Sequence, residues 1–502
     1  MDWDFWSLLG AYVLIGLYTL ALLLILVFSI SQALLAWSFY LWKKAPPVSQ
    51  QWDFSKGDPY PTVTIQLPVF NELYVMERLL AAIAQLDYPK DRLEVQVLDD
   101  STDESVNLTA KEIRRHQAQG LDIHHIRRKN RKGFKAGALK TGLETAKGEF
   151  IAIFDADFLP KPDWLLRTIP YFKDEKIGVV QARWGHLNKN YSLLTKIQAF
   201  ALDAHFTLEQ TGRNALGHFI NFNGTAGLWR KDCIEDAGNW QGDTLTEDLD
   251  LSFRAQLKNW RFKFVEDVET PAELPVTMSA IRTQQFRWNK GGAENFQKMI
   301  RSVWRHNELS FATKFHATIH LLSSSMFLGV LTVAILSVPM LYIKAEWGHL
   351  AWYFNVSSLF VISTAFFFVG YWQMYQRRYE TGWLGFMNYI QRFVAFYVIA
   401  MGLSMHNSLA ILEGHLGKKS AFVRTPKFNV TSAKDRWETN KYLPKSISIN
   451  VFWEGLLALY FLFGIYSAFT VGQQGDLGLL PFHSMLFVGF SFIVVQSLRG
   501  HQ

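Results

Sequence analysis

The chain has 502 residues, enough for one catalytic domain plus a membrane region, and carries a net charge of +7. Much of that excess lies in short basic segments beside apolar runs, the pattern of cytosolic loops, so no nucleic-acid partner is implied. The single cysteine, Cys233, excludes an internal disulfide and a cysteine-based metal cluster.

From Phe5 to Trp42 there is no Asp, Glu, Lys or Arg. Residues 1–45 therefore read as an N-terminal transmembrane helix; the run is too long for a signal peptide and lacks a basic start and a cleavage site. Asp2 and Asp4 precede it and Lys43 and Lys44 follow it, which puts the N-terminus outside and residue 43 onward in the cytosol. Residues 46–275 read as a soluble α/β domain. Strands are expected at Val63–Val69, Leu93–Leu98, Ile123–Ile126, Phe150–Phe154 and Val179–Ala182. Helical patterns lie between them, one at Gly133–Lys147, so the sheet is expected to be mostly parallel.

Residues 276–312 read as amphipathic interfacial helices and 313–376 as a transmembrane hairpin with spans Phe315–Ile343 and Gly348–Gln376. A second hairpin, 449–502, holds Gly455–Gly475 and Leu477–Leu498. The run Phe393–Leu412 lies between two basic segments. Arg377, Arg378 and Arg392 precede it; Lys418, Lys419, Arg424, Lys427, Lys434, Arg436, Lys441 and Lys445 follow it. Both belong in the cytosol, and one crossing cannot join two cytosolic segments. Residues 377–413 thus read as a helix on the membrane interface and 414–448 as a cytosolic loop. This gives five spans, or six if a long run hides a hairpin.

Acidic residues gather where the strands end. Val63–Val69 runs into Phe70-Asn71-Glu72, the next strand into Asp99-Asp100, and a later one into Asp155-Ala156-Asp157. Open α/β sheets bind ligands at the carboxyl ends of their strands. Two carboxylates spaced i, i+2 around a turn can share one hard divalent cation whose other positions go to water and substrate phosphates. In Thr246-Glu247-Asp248 either carboxylate suits a general base. An N-capping Thr246 followed by an acidic first turn fits that segment equally well. In Gln284-Gln285-Phe286-Arg287-Trp288, Arg287 offers a fork of donors for phosphate and Trp288 a flat face for a sugar ring. An interfacial Arg and Trp at headgroup level is the other reading of that pair.

Together, Asp100, Asp155-x-Asp157, Thr246-Glu247-Asp248 and Gln284-x-x-Arg287-Trp288 resemble the D, D-x-D, D, Q-x-x-R-W pattern of processive family 2 glycosyltransferases, which include cellulose, chitin and hyaluronan synthases. The order and spacing match across residues 60–290. Val180–Trp184, Phe222–Arg230 and Gln284–Trp288 are similar to the cellulose-synthase-like A and C enzymes, makers of mannan, glucomannan and xyloglucan backbones. Lys132–Gly137, which contains Lys135, is similar to the family's K-A-G segment near the nucleotide sugar. Phe422-Val423-Arg424-Thr425-Pro426-Lys427 resembles the F-x-V-T-x-K gating loop, with Arg424 in place of Val.

The resemblance implies an α/β cytosolic GT-A (Rossmann-like nucleotide-sugar) domain joined to an α-helical transmembrane region in a plasma or inner membrane. It implies a β-linkage made by inversion from UDP-glucose or GDP-mannose onto a growing glycan, with translocation of the polymer; the alternative is a single transfer to a lipid. Aromatic residues from Trp352 to Trp372 either line a polymer channel or face lipid. The implied roles are Asp100 and Glu72 at the nucleotide, Asp155 and Asp157 on Mg²⁺ or Mn²⁺, and Asp248 as catalytic base beside Glu247. Gln284 and Arg287 would bind the diphosphate, Trp288 the acceptor, and Thr425 and Lys427 the diphosphate once the loop closes.

Overall fold

The computed structural model describes residues 3–42, 52–54, 57–432, 434–438, 440–443, 448–472 and 475–499. Asp2, Lys43, Lys44 and Lys445, used above to orient the chain, lie outside them. The α/β domain is built on one sheet with strands β1 Val63–Val69, β2 Leu93–Asp99, β3 Asp122–Ile126, β4 Phe150–Ile153, β5 Ile177–His186, β6 Gly227–Arg230 and β7 Arg261–Ala272. Their order is β3-β2-β1-β4-β6-β5-β7. The five expected strands are present. The sheet is mixed, because β6 runs antiparallel to both β4 and β5.

Alternation sorts the side chains onto two covered faces. Phe150 and Ala152 join Ile65, Leu67 and Trp164 in one buried cluster, while Ile151 and Ile153 join Leu139, Leu143 and Trp229 in the other. The register sets Val69 beside Asp99 and Gln66 beside Ile153. The turns that follow β1, β2 and β4, with their carboxylates, therefore open on one edge.

Among the described residues, six helices are long and apolar enough to cross a membrane: Leu8–Trp42, Ser323–Glu346, Gly348–Arg378, Gly382–Gly402, Asn450–Thr470 and Leu477–Arg499. The first belongs to a continuous 40-residue helix, about 60 Å long and about twice the hydrocarbon thickness. Its far end docks on the α/β domain: Phe39 is fully buried, and Ser38 Oγ donates to the Gly212 carbonyl at 3.3 Å. The expected span Phe315–Ile343 is divided. Phe311–Leu321 is a separate helix that packs Ala317 and Leu321 against Phe253, Met299 and Val303, and the apolar crossing helix starts after it.

The run Phe393–Leu412 is divided too, into Gly382–Gly402 and Ser404–His415. By length and composition Gly382–Gly402 is the sixth crossing candidate. Its neighbours tie one end to the α/β domain and the other to the helix Met278–Arg305. Just before it, Tyr379 donates to Asp203 at 2.5 Å; just after it, His406 Nε2 lies 3.0 Å from the Arg282 carbonyl. Between them Phe393 packs in one cluster with Phe200, and Ile399 and Leu403 in another with Leu194 and Ile197, all three of the latter partners being on the helix Leu193–Ala204. Of the aromatic residues considered for a channel, Phe367, Phe368, Tyr371 and Trp372 pack into the same cluster as Phe200 and Phe393, whereas Trp352 is exposed.

Gly402 and Gly489 let two of these helices touch at backbone distance. A Cβ on Gly402 would stand 2.5 Å from the Gly489 carbonyl oxygen, and one on Gly489 would collide with that of Val398. Small residues at helix crossings permit such approach. Gly489→Ala is expected to destabilise the protein by about 1–3 kcal/mol through overpacking, read as a lower midpoint of thermal unfolding in detergent.

Candidate active site

All twelve residues singled out from the sequence line one cavity: Glu72, Asp100, Lys135, Asp155, Asp157, Glu247, Asp248, Gln284, Arg287, Trp288, Thr425 and Lys427. Asp100 is gripped by the fork of Arg128, whose Nε donates to Oδ1 at 2.9 Å and whose Nη2 donates to Oδ2. Arg131 stands 3.9 Å from Asp100 and lies over the Phe70 ring. Neither arginine was singled out in advance, although the basic run Arg127–Lys132 directly after β3 was the available signal.

The two carboxylates after β4 each meet an ammonium. Lys135 Nζ donates to Asp155 Oδ1 at 2.5 Å and to the Gly224 carbonyl at 2.9 Å. Lys427 Nζ donates to Asp157 Oδ2 at 2.7 Å. Burial opposes the charge on Lys135, but Asp155 and Glu247 outweigh it and raise its pKa. Asp157 Oδ1 is buried with no hydrogen-bond partner among the described residues. No group of three or more potential protein ligands occurs among those residues. A two-carboxylate donor set with a free oxygen suits a hard divalent cation completed by water and substrate phosphates.

Glu247 and Asp248 open the helix Glu247–Gln256. The side chain of Thr246 makes no capping bond there; its Oγ1 instead accepts from Asn295 Nδ2 at 2.9 Å. The acidic pair is thus turned into the cavity by tertiary contacts, against the simple capping reading. Asp248 Oδ1 accepts from the Leu249 N–H at 2.9 Å. Burial, and then the charge of Glu247, push Asp248 up to about 7, with Lys135 opposing. Burial raises Glu247 as well.

Gln284, Arg287 and Trp288 sit on the helix Met278–Arg305, whose N-terminus is capped by Thr277. The spacing i, i+3, i+4 puts all three on one helical face, and that face is turned into the cavity rather than toward headgroups. Arg287 Nη2 donates to Thr425 Oγ1 at 3.0 Å and its guanidinium lies over Phe422. Trp288 and Trp184 leave their ring centres 6.3 Å apart at an angle of 50°.

The loop that follows His415 is docked over the opening. Phe422 stacks on Phe134, and Arg424 Nη1 lies 2.9 Å from Glu72 Oε2. Glu273 accepts the N–H groups of Phe428 and Asn429 at 2.8 and 3.0 Å, and Val430 is fully buried beside Val276 and Ala280. Burial raises Glu72 to about 7 despite Arg424 and Lys427 nearby.

Residues 61–291 match the family model described as "Glycosyltransferase like family 2". The chain is 32% identical over 463 residues to a probable glucomannan 4-beta-mannosyltransferase 15 of Arabidopsis thaliana, covering 88% of this chain and 81% of that one. It is 46% identical over 270 residues to a probable glucomannan 4-beta-mannosyltransferase 7 of Oryza sativa subsp. japonica, covering 53% of this chain and 46% of that one. The match thus spans about half the length of the rice relative. Among solved structures, a mannosyltransferase from Pyrobaculum calidifontis in complex with GDP-Man and Mn²⁺ superposes with a TM-score of 0.55 at 20% identity, covering 80% of this chain and all of that one. At that identity the likeness establishes the fold alone, a GT-A glycosyltransferase domain. On the Arabidopsis match and the family model, the chain belongs to glycosyltransferase family 2.

Proposed function

We propose that the chain is a membrane-integrated inverting hexosyltransferase that extends a β-linked glycan, with GDP-mannose as preferred donor and UDP-glucose as the second candidate. The observation that carries this is the meeting of Asp248, Arg287 and Lys427 from three separate segments in one cavity. The names of the plant relatives support the mannosyl donor. The helix Gly382–Gly402, tied at one end to the α/β domain and at the other to the helix Met278–Arg305, is taken to lie along the membrane interface.

The donor's diphosphate would sit among Arg287, Lys427 and the pair Asp155 and Asp157. A divalent cation held by that pair would neutralise phosphate charge when bound. Arg287 and Lys427 would stabilise the negative charge that grows on the leaving diphosphate. Trp288 and Trp184 would orient the acceptor sugar. Asp248 would take the proton of the acceptor hydroxyl as its oxygen attacks C1 of the α-linked donor, which gives the β product. The docked loop would exclude water during transfer.

The test is release of nucleoside diphosphate by the full chain in nanodiscs with Mn²⁺ or Mg²⁺. GDP-mannose should turn over faster than UDP-glucose, and chelation should stop both; turnover of neither donor with either metal would end this reading. Asp248 works only when ionised. Since its pKa is raised to about 7, kcat should fall about tenfold per unit as pH drops below 7 and level off above it. A flat profile between pH 5 and 8, a range set by the ordinary and raised carboxylate values, would exclude Asp248 as the base.

A further inference from the structure

Arg424 is the loop position at which this chain departs from the family motif, and its guanidinium lies inside the cavity. It stands over the Tyr442 ring at 4.3 Å and within 2.9 Å of Glu72 Oε2. Glu72 is buried and Arg424 partly buried, and the two face each other as an ion pair. Arg424 Nη1 and Nη2 and Glu72 Oε2 are left without hydrogen-bond partners among the described residues. The ion pair balances the two charges, but buried donors and acceptors without hydrogen bonds are costly, so one acceptor beside two donors favours a ligand that completes them.

The required ligand edge carries donors and acceptors side by side. A diphosphate does not meet that need, because it brings only acceptors and sets negative charge against Glu72. The Watson–Crick edge of guanine does. Its N1–H and N2–H₂ donate to a carboxylate, and its O6 accepts from a guanidinium. Uracil offers one N–H between two carbonyls, so a carboxylate facing it would press its second oxygen against a carbonyl.

We propose that Glu72 and Arg424 form a guanine-reading pair, so that docking of the loop is tied to the base of the donor as well as to its diphosphate. The inference rests on the nucleotide-sugar reading above. The loop is short enough to serve both ends: three residues after Arg424, Lys427 holds Asp157. With valine at this position Glu72 would face the base alone, and closure would be sensed only through the diphosphate.

Calorimetric titration of GDP and of UDP, each with Mn²⁺, into the full chain in nanodiscs tests this. The wild-type protein should prefer GDP. Arg424→Val should weaken GDP by roughly tenfold or more while UDP changes by less than about threefold. Arg424→Lys keeps the charge without the planar fork and should fall between. A wild-type preference for UDP, equal losses for both nucleotides, or no loss for either would overturn the pair. A wild-type protein that bound neither nucleotide would instead overturn the nucleotide-sugar reading itself.

Discussion

Asp248→Asn is expected to reduce sugar transfer at least about 100-fold while leaving nucleotide affinity within a few-fold of wild type, because it removes a general base and little else. The amide is nearly isosteric with the carboxylate and its oxygen can still accept the Leu249 N–H that now reaches Asp248 Oδ1. It cannot take a proton at neutral pH. The neighbouring Glu247 does not substitute for it, since that carboxylate faces Lys135 at 3.9 Å. Single-turnover transfer measured beside calorimetric GDP binding separates the two effects. Full transfer by the variant would remove Asp248 from the mechanism, and lost nucleotide binding would make it a binding residue.

The second large effect is on stability. Arg282, on the helix that carries Gln284, Arg287 and Trp288, is buried against Glu454 of the apolar helix Asn450–Thr470. Its Nη1 and Nη2 donate to the two carboxylate oxygens at 2.8 and 2.5 Å, and Nη2 also reaches Ser497 Oγ at 3.1 Å. An ionisable residue inside an apolar helix is kept there by its partner. Removing that partner leaves a buried charge uncompensated. Glu454→Ala is therefore expected to destabilise the protein by about 3–5 kcal/mol, whereas replacing both residues by apolar ones of similar size should restore most of the loss. Thermal unfolding of the single and double variants in detergent decides this. Equal stability of the single variant and wild type would mean that the pair is not buried as described. Since this pair joins the Arg287 helix to the apolar helices, the single variant should lose transfer activity along with stability.

The candidate site was legible because its residues are dense in short segments. Each of Asp100, Asp155 and Asp157 follows a strand whose apolar run is plain in the sequence. β1 has the bounds expected of it, because its seven uncharged residues lie between Pro61-Thr62 and a turn. The other strand-side features were harder. β6 is only four residues long, Gly227–Arg230, and its buried Trp229 reads equally well as a helix or a strand residue. β7 carries Lys263, Glu266, Asp267 and Glu269, and a register shift opposite Ala182/Arg183 breaks its alternation. Several of its charges face partners from other segments: Glu266 takes Arg377 at 2.9 Å and Glu269 takes Arg183 at 2.5 Å.

Hydropathy misplaced helix boundaries for a similar reason. Phe311–Leu321 has one charged residue, Lys314, yet buries His316 between His218 and Ser31 and His320 beside Phe253. An apolar window cannot tell such a helix from the start of a crossing one. Gly382–Gly402 begins before the expected Phe393 because Asn388, Gln391 and Arg392 interrupt the run without interrupting the helix. Arg128 and Arg131 escaped notice because their roles depend on where the turn after β3 folds back. Only the fold brings them to Asp100 and Phe70.

The chain is held to extend a β-linked glycan in the cavity under the loop. Inverted membrane vesicles containing the full chain, given labelled GDP-mannose and Mn²⁺, test it through the size and enzymatic digestibility of what they make. The expected result is a water-insoluble or high-molecular-mass product that an endo-β-mannanase degrades, absent with Asp248→Asn. A single labelled sugar in an organic-soluble lipid, or a product resistant to β-specific hydrolases, would contradict it.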